Sequence, residues 1–498
     1  MKRIILCTLL LMSLLPLAAK PEFGQQPRLV VGIVVDQMRW DYLSRYYDSF
    51  EKGGFRRLID EGYSCDNCLI NYLPTITAIG HTSVYTGTTP ALHGICGNNF
   101  YVDGRKVYCT ADSTVQGVGT KSNKGKMSPR NMLATTIGDQ LRMHTDFRSK
   151  VIGVSYKDRA AILPAGHSAN AAFWLDPKIQ QFVTSTYYMQ ALPEWAASLN
   201  SRLAENEAVR AAGDSIGYKP LCGTITTDMA IAALEGERLG KGKTPDMLCV
   251  SYSQTDVIGH EWGTRGQRTD DAYLQLDRDL ARLLAALDRN VGKGKYLLFL
   301  TADHAACHNR AYLSSHYLPT GRWMSSDIKK QAEAYVAERL RATAPVISDE
   351  LDYRFFLDRA SIARQGLDYE EVKATLMEFL RSQPHVSCVI DFERAAQQSI
   401  PPILRDRALM GYHYRRSGDI LVVLDPGYYT HGTWSSPGWT THGSWNPYDS
   451  HIPLLFFGWN VPHGATSREV HITDIAPTIC QMLHIQQPSA CVGEPIEF

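Results

Sequence analysis

The stretch "RLVVGIVVDQMR" runs from Arg28 to Arg39 and decides how the rest of the chain is read. From Leu29 to Val35 every residue is apolar or glycine, and Asp36 follows at once. A strand with one wet face alternates apolar and polar residues, whereas an unbroken apolar run suits a strand buried on both faces of a parallel sheet. Four more runs read the same way: "KVIGVSY" (150–156), "DMLCVSYS" (246–253), "KYLLFLT" (295–301) and "HIPLLFFG" (451–458). Amphipathic segments lie between them. In "DDAYLQLDRDLARLLAALDRN", Leu276, Leu280, Leu283, Leu284 and Leu287 form one helical stripe. Ser128 followed by Pro129 reads as a capped helix start. Strands alternating with helices predict an α/β fold with a doubly wound, mostly parallel sheet.

The texture changes between about 311 and 417. "SDIKKQAEAYVAERL" and "DYEEVKATLMEFLRS" are charged amphipathic helices, "LDYRFFLD" between them has a strand's composition, and "GDILVVLDPGYY" follows the second helix. This region is expected to be an inserted α/β subdomain within one catalytic domain spanning 20–498. No internal repeat or low-complexity segment interrupts it.

The chain has 498 residues, of which 44% are hydrophobic, so a large core is available. Its formal net charge is zero, and no basic run or stacking array points to nucleic acid. The leader "MKRIILCTLLLMSLLPLAAK" places Lys2 and Arg3 before an apolar run that ends in Ala18 and Ala19, the pattern of a secretory signal peptide over 1–19. The run is shorter than the roughly 20 residues of a spanning helix. An exported, soluble mature chain is expected, in the periplasm or secreted. Ten of the 11 cysteines lie beyond the leader, an even number compatible with disulfides in an exported protein. Cys65 and Cys68 have no second CxxC partner and read as structural.

Ligands in open α/β sheets bind outside the carboxyl ends of the strands. Asp36 follows the first run. Asp256 follows the third, with His260 four residues on, and Asp303 and His304 follow the fourth. His442 lies shortly before the fifth. Singly these are ordinary turn or core residues. Together, three aspartates and three histidines match the ligand set of Zn²⁺ and similar ions, and suffice for two ions that clamp an in-line phosphoryl displacement.

A hydroxyl-rich stretch, "LPTITAIGHTSVYTG" (73–87), supplies a candidate nucleophile. A threonine hydroxyl is hardly ionised at neutral pH and needs a metal or base to activate it. Thr77–Thr86 should be the first helix after the Asp36 strand, with its free N–H groups favouring an alkoxide and a phosphate. Thr75, Thr77, Thr82 and Ser83 are candidates, with Thr75 and Thr77 nearest the helix start. If "SYKDR" is extended, Lys157 and Arg159 project from one face, where they suit a dianionic phosphate.

With these residues in place, the chain resembles the alkaline phosphatase superfamily, and within it the PafA-type periplasmic phosphate-monoester phosphatases of Bacteroidetes. The resemblance covers nearly the whole mature chain. It rests on "VVDQMR", "PTITAIGHT", "HGICGNN", "YKDRAAILPAGH", "SQTDVIGHEWG", "TADHA", "THGSWNPYDSHIPLLFFG" and "TDIAPTI", in that order. It implies an alkaline phosphatase-like fold, two Zn²⁺ ions and a phospho-threonine intermediate on Thr77. One zinc would be held by Asp36, Thr77, Asp303 and His304, the other by Asp256, His260 and His442. Asn98, Lys157 and Arg159 would grip the non-bridging phosphate oxygens. Substrates would be small-molecule phosphate monoesters. A monomer is expected, with an oligomer as the alternative.

Asn99 is a rival to Asn98, and His431 in "HGTW" a rival to His442 in "HGSW". Ala305 stands where relatives often carry glycine. His81, His93, His167 and His451 are expected in supporting or structural places. A phosphodiesterase or nucleotide pyrophosphatase on the same metal core is the alternative, and a non-catalytic zinc-binding envelope protein a more distant one. A sulfatase would need cysteine or serine at the nucleophile, and "PTITAIG" has neither there.

Overall fold

The computed structural model describes residues 26–430, 436 and 438–498. The leader and His431 lie outside them. Leu29–Val35 forms the middle of a ten-stranded sheet, with Asp246–Tyr252 on one side and Tyr296–Thr301 on the other. Beyond Asp246–Tyr252 come Val151–Ser155 and Ala171–Asp176. All of these neighbours run parallel. Every residue of Leu29–Val35 is buried, as the unbroken apolar run predicts. The leucine stripe falls on the helix Gln267–Asn290, and all five leucines are fully buried against the sheet's core.

Several local expectations need correction. The "HIPLLFFG" run is not one parallel strand. It splits at Pro453 into His451–Ile452 and Leu454–Gly458, and the latter pairs antiparallel with Tyr296–Thr301. An apolar run shows burial on both faces but not strand direction. No helix starts at Ser128–Pro129. Ser128 Oγ is drawn to Asp112 Oδ2 at 2.7 Å, and the helix begins at Ile137, where Thr136 and Asp139 form a reciprocal capping box. Thr77–Thr86 is a helix with the expected bounds, but it is not the first after Asp36. Asp41–Arg45, Phe55–Glu61 and two short strands come before it.

A separate antiparallel sheet has the order Ile347–Leu351, Arg354–Leu357, Ile420–Leu424, Val386–Asp391, and its strand Ile420–Leu424 lies past the expected bound of about 417. Helices Ser325–Leu340 and Tyr369–Arg381 cover it, and Val336, Leu376, Leu380, Phe355 and Val422 share a separate core. The ten cysteines from Cys65 onward are all free thiols, eight of them buried, Cys65 and Cys68 included.

Candidate active site

The strand ends deliver their side chains to one place. Asp36 follows Val35 directly, and Asp303 lies two residues past Thr301. Asp256 sits in the first turn of the helix Gln254–Trp262, and His260 lies one turn on along the same face. Two glycines allow the close packing. A Cβ on Gly80 would stand 2.2 Å from the Asp303 carbonyl oxygen, and one on Gly259 would stand 2.0 Å from Gln37 Oε1.

The six residues form two clusters. Asp36, Asp303 and His304 offer ligand atoms within 4.8 Å of one another, and so do Asp256, His260 and His442. The His304 and His442 rings stack at 3.5 Å between centroids, so the clusters adjoin. Ala305 disturbs none of this. Its N–H donates to the Asp449 carbonyl, and its own carbonyl faces His304 Nδ1 at 3.1 Å.

The histidines are oriented by backbone. Nδ1 of His442 faces the Thr75 carbonyl at 2.6 Å, and Nδ1 of His260 faces the Thr440 carbonyl at 2.8 Å. A carbonyl only accepts, so each Nδ1, like that of His304, carries the proton and leaves Nε2 as the lone-pair atom. His260 Nε2 then points at Asp256 Oδ1 at 3.1 Å, and His304 Nε2 lies 3.4 Å from Asp303 Oδ2 and 3.5 Å from Asp36 Oδ1. Asp36 Oδ1 and Asp303 Oδ2 are buried and have no hydrogen-bond partner. Lone pairs facing lone pairs in a dry site call for cations between them, and imidazole with carboxylate is a donor set that suits zinc. The residues therefore fit two divalent ions.

The electrostatics agree except at His260, where burial lowers the imidazole pKa but Asp256 outweighs burial and raises it. Burial, then repulsion from Asp256 and Asp303, pushes the Asp36 carboxyl well above its ordinary range. Burial would also raise Asp256, but His260 and Lys157 outweigh it and hold that carboxyl low. Burial keeps His304 and His442 neutral, the state a metal ligand needs.

The candidate hydroxyls separate by where each one goes. Thr75 Oγ1 donates to the Ser444 carbonyl and accepts the Gly443 N–H, so it holds a loop. Thr82 Oγ1 donates to the Ala78 carbonyl within its helix, and Ser83 Oγ pairs with His93 Nε2. Thr77, the first helical residue, lies 3.3 Å from His304 Nε2 and is the one of the four that reaches the clusters.

Asn98 Oδ1 accepts the N–H of Ala78, next to Thr77, at 3.2 Å, which leaves its amide N–H bonds for another acceptor. Asn99 instead opens the strand Asn99–Val102 and pairs with Tyr108. The extended reading of "SYKDR" does not hold. The strand stops at Ser155, Lys157 caps the helix Asp158–Ala165, and Arg159 lies in its first turn. Buried Asp158 accepts hydrogen bonds from Tyr108 and Thr110, which anchors the turn there. Lys157 Nζ nonetheless reaches the junction of the clusters, 2.6 Å from both Asp36 Oδ2 and Asp256 Oδ2. Arg159 donates to the Tyr108 hydroxyl at 3.1 Å, and its buried Nε has no partner.

Two residues support the clusters, Gln37, which was not legible as such, and His81, expected in a supporting or structural place. Gln37, at a φ of 63°, donates from its backbone N–H to Asp303 Oδ1 and from Nε2 to Asp256 Oδ1, tying the clusters together. Its one sequence signal is a polar side chain directly after Asp36. His81, one turn after Thr77, donates to the Thr77 carbonyl, accepts from Ser251 Oγ, and sits 3.1 Å from Asp303 Oδ2. His93 is buried beneath the same helix. His451 faces the Asp66 carbonyl and stacks on Trp40.

An open α/β sheet whose strand ends gather a hydroxyl and two carboxylate–imidazole clusters defines a metal-dependent hydrolytic enzyme of the alkaline phosphatase superfamily. The chain belongs to the type I phosphodiesterase / nucleotide pyrophosphatase family, whose model matches residues 30–448. Alkaline phosphatase PafA of Elizabethkingia meningoseptica is 41% identical, over 96% of this chain and 95% of its own length. Alkaline phosphatase PhoV of Synechococcus elongatus is 40% identical, over 96% of this chain and 93% of its own. A Myroides odoratus relative at 42% identity, covering 95% of this chain and 94% of its own, bears the name calcium-transporting ATPase. The crystal structure of wild-type PafA superposes with a TM-score of 0.91, covering 95% of this chain and 98% of the other.

Proposed function

We propose that this protein is an alkaline phosphatase that hydrolyses small-molecule phosphate monoesters through a covalent phosphate on Thr77, with two zinc ions bound. The observation that carries the reading is Thr77 at a helix N-terminus, beside two Asp/His clusters. Asp36, Thr77, Asp303 and His304 would hold one zinc, and Asp256, His260 and His442 the other. The ions would lower the pKa of the nucleophile and of water and stabilise oxygens that gain charge.

Thr77 Oγ attacks phosphorus as its proton passes to water, and the bond to the leaving alkoxide or phenolate breaks in line, the leaving oxygen taking a proton from water. Water then attacks the phospho-threonine, returning Thr77 and releasing phosphate, with net retention at phosphorus. The helix N-terminus favours the negative charge on both nucleophile and phosphate. Arg159 offers an unpartnered buried N–H, Asn98 an amide, and Lys157 an ammonium, the donors a dianionic monoester needs on its non-bridging oxygens. The leader supports export to the periplasm. Among the described residues no helix is long and apolar enough to cross a membrane.

The family's description favours a second reading, a phosphodiesterase on the same core. The deciding experiment compares kcat/KM for p-nitrophenyl phosphate and bis-p-nitrophenyl phosphate on zinc-loaded protein. A strong monoester preference, lost when Lys157 and Arg159 are both replaced by alanine, supports the phosphatase. A diester preference would establish the phosphodiesterase and leave the three donors without their proposed role.

A further inference from the structure

A hairpin turn of the separate antiparallel sheet packs against the loop of His442 and the segment before Asn98. Strands Ile347–Leu351 and Arg354–Leu357 pair antiparallel, with Leu351 opposite Arg354, so the turn is Asp352–Tyr353. Both residues have positive φ, 53° and 67°, the backbone of a tight two-residue hairpin. That conformation is usually left to glycine or asparagine, and a bulky aromatic there is an outlier. A strained conformation persists where its surroundings over-determine it.

The surroundings do so on both flanks. Tyr353 packs under the loop that carries His442. A Cβ on Gly443 would stand 2.9 Å from the Tyr353 ring, and the Tyr353 hydroxyl accepts the Thr430 N–H at 3.0 Å. On the other flank stands Arg354, a fully buried guanidinium. It donates to the Cys96 carbonyl at 2.5 Å, pairs with Asp352 at 3.1 Å and donates to the Leu351 carbonyl. Gly97 lies flat on this pair. A Cβ there would stand 2.8 Å from Arg354 Nη2 and 3.0 Å from Asp352 Oδ2. Arg416 donates to the carbonyls of Gly94 and Asn131. The short segment that ends in Asn98 is thus held at Gly94 and at Cys96 by arginines from outside the catalytic sheet.

We infer that Arg354 is a positioning residue for the phosphate site. It fixes the Cys96–Gly97 backbone and so places the Asn98 amide against the phosphate oxygen. Removing a buried charge's fixed donors leaves the Cys96 carbonyl unpaired and frees the segment to shift. Small misplacements of a binding group cost rate steeply. The separate sheet thereby acts on turnover without touching substrate. This rests on the reading of Asn98 as a phosphate contact.

A double-mutant cycle tests it on the zinc-loaded full chain. Arg354→Lys keeps the charge but loses the forked donors. It is measured alone and with Asn98→Ala, for kcat/KM on p-nitrophenyl phosphate, alongside Tm. Expected is a loss of about tenfold from Arg354→Lys when Asn98 is present, shrinking to under about twofold in the Asn98→Ala background. Equal losses in both backgrounds, or no loss with Asn98 present, would overturn the inference. Gly97→Ala reads the same contact from the opposite side and decides the matter if Arg354→Lys does not fold. An Asn98→Ala variant with unchanged kcat/KM would refute the phosphate role of Asn98 instead, an outcome visible in that single mutant alone.

Discussion

His442 Nδ1 and the Thr75 carbonyl oxygen lie 2.6 Å apart across 367 residues of sequence. The contact fixes which imidazole nitrogen is protonated and turns Nε2 toward Asp256. It also fastens the His442 loop to the residues just before Thr77. His442→Ala should therefore cost one of two bound zinc equivalents and at least about a hundredfold in kcat/KM. Elemental analysis with kinetics on the same sample checks both, and full zinc retention would argue against His442 as a ligand.

Thr77→Ala should lower turnover by a factor on the order of 10³ or more while zinc stays bound, because the clusters keep their other donors. Thr82→Val, whose hydroxyl only bonds back into its helix, should keep activity within about threefold. Near-normal turnover by Thr77→Ala would end the assignment of the nucleophile.

Removing metal should unmask the buried carboxylates. Asp36 and Asp303 each keep one oxygen without a hydrogen-bond partner, and Asp36 feels both other aspartates. Chelated protein should lose activity and melt at lower temperature, and zinc should restore both. A melting temperature indifferent to chelation would contradict the two-ion reading.

Gly80→Ala places a methyl 2.2 Å from the Asp303 carbonyl oxygen, a backbone atom that cannot swing aside. The helix bearing Thr77 must then move off the strand end. A loss of about 1–3 kcal/mol in stability is expected from overpacking of this kind, together with reduced activity. Urea unfolding measures the first and kcat the second.

Asp449 offers a pH test outside the metal clusters. Its Oδ2 accepts the Ser444 N–H at 2.8 Å, its Oδ1 is buried without a partner, and burial pushes its carboxyl up to about 7. The folded pKa lies above the unfolded one, so the folded state holds this proton more tightly. This group's contribution to stability therefore falls as pH rises from about 4 toward 7 and is level above, with a limiting slope of about 1.4 kcal/mol per pH unit. Asp449→Asn should be stabilised relative to the native chain at pH 8 more than at pH 5. A pH-independent difference in urea unfolding free energy would refute the assignment.

Much of this was legible in the sequence because its signals are local. An apolar run marks a strand buried on both faces, so Leu29–Val35, Asp246–Tyr252 and Tyr296–Thr301 fell where expected. The aspartates that follow them sit at the carboxyl ends of a parallel sheet. The i,i+4 spacing put Asp256 and His260 on one helical face.

What stayed hidden depends on contacts between distant segments. Hydropathy carries no direction, so Leu454–Gly458 turned out antiparallel. Lys157 and Arg159 share a site through a helix turn, not a strand face. Composition could not rank four hydroxyls. Only folding showed that Thr75 is spent on Gly443 and Ser444, leaving Thr77 beside His304. The supporting roles of Gln37 and Arg354 were not readable, because a hydrogen bond to a residue hundreds of positions away leaves no periodic trace. The sequence by itself determined which side chains the strand ends would present. The tertiary structure decided which lone pairs and donors face one another, because that is set by packing distances of a few ångströms and not by spacing along the chain.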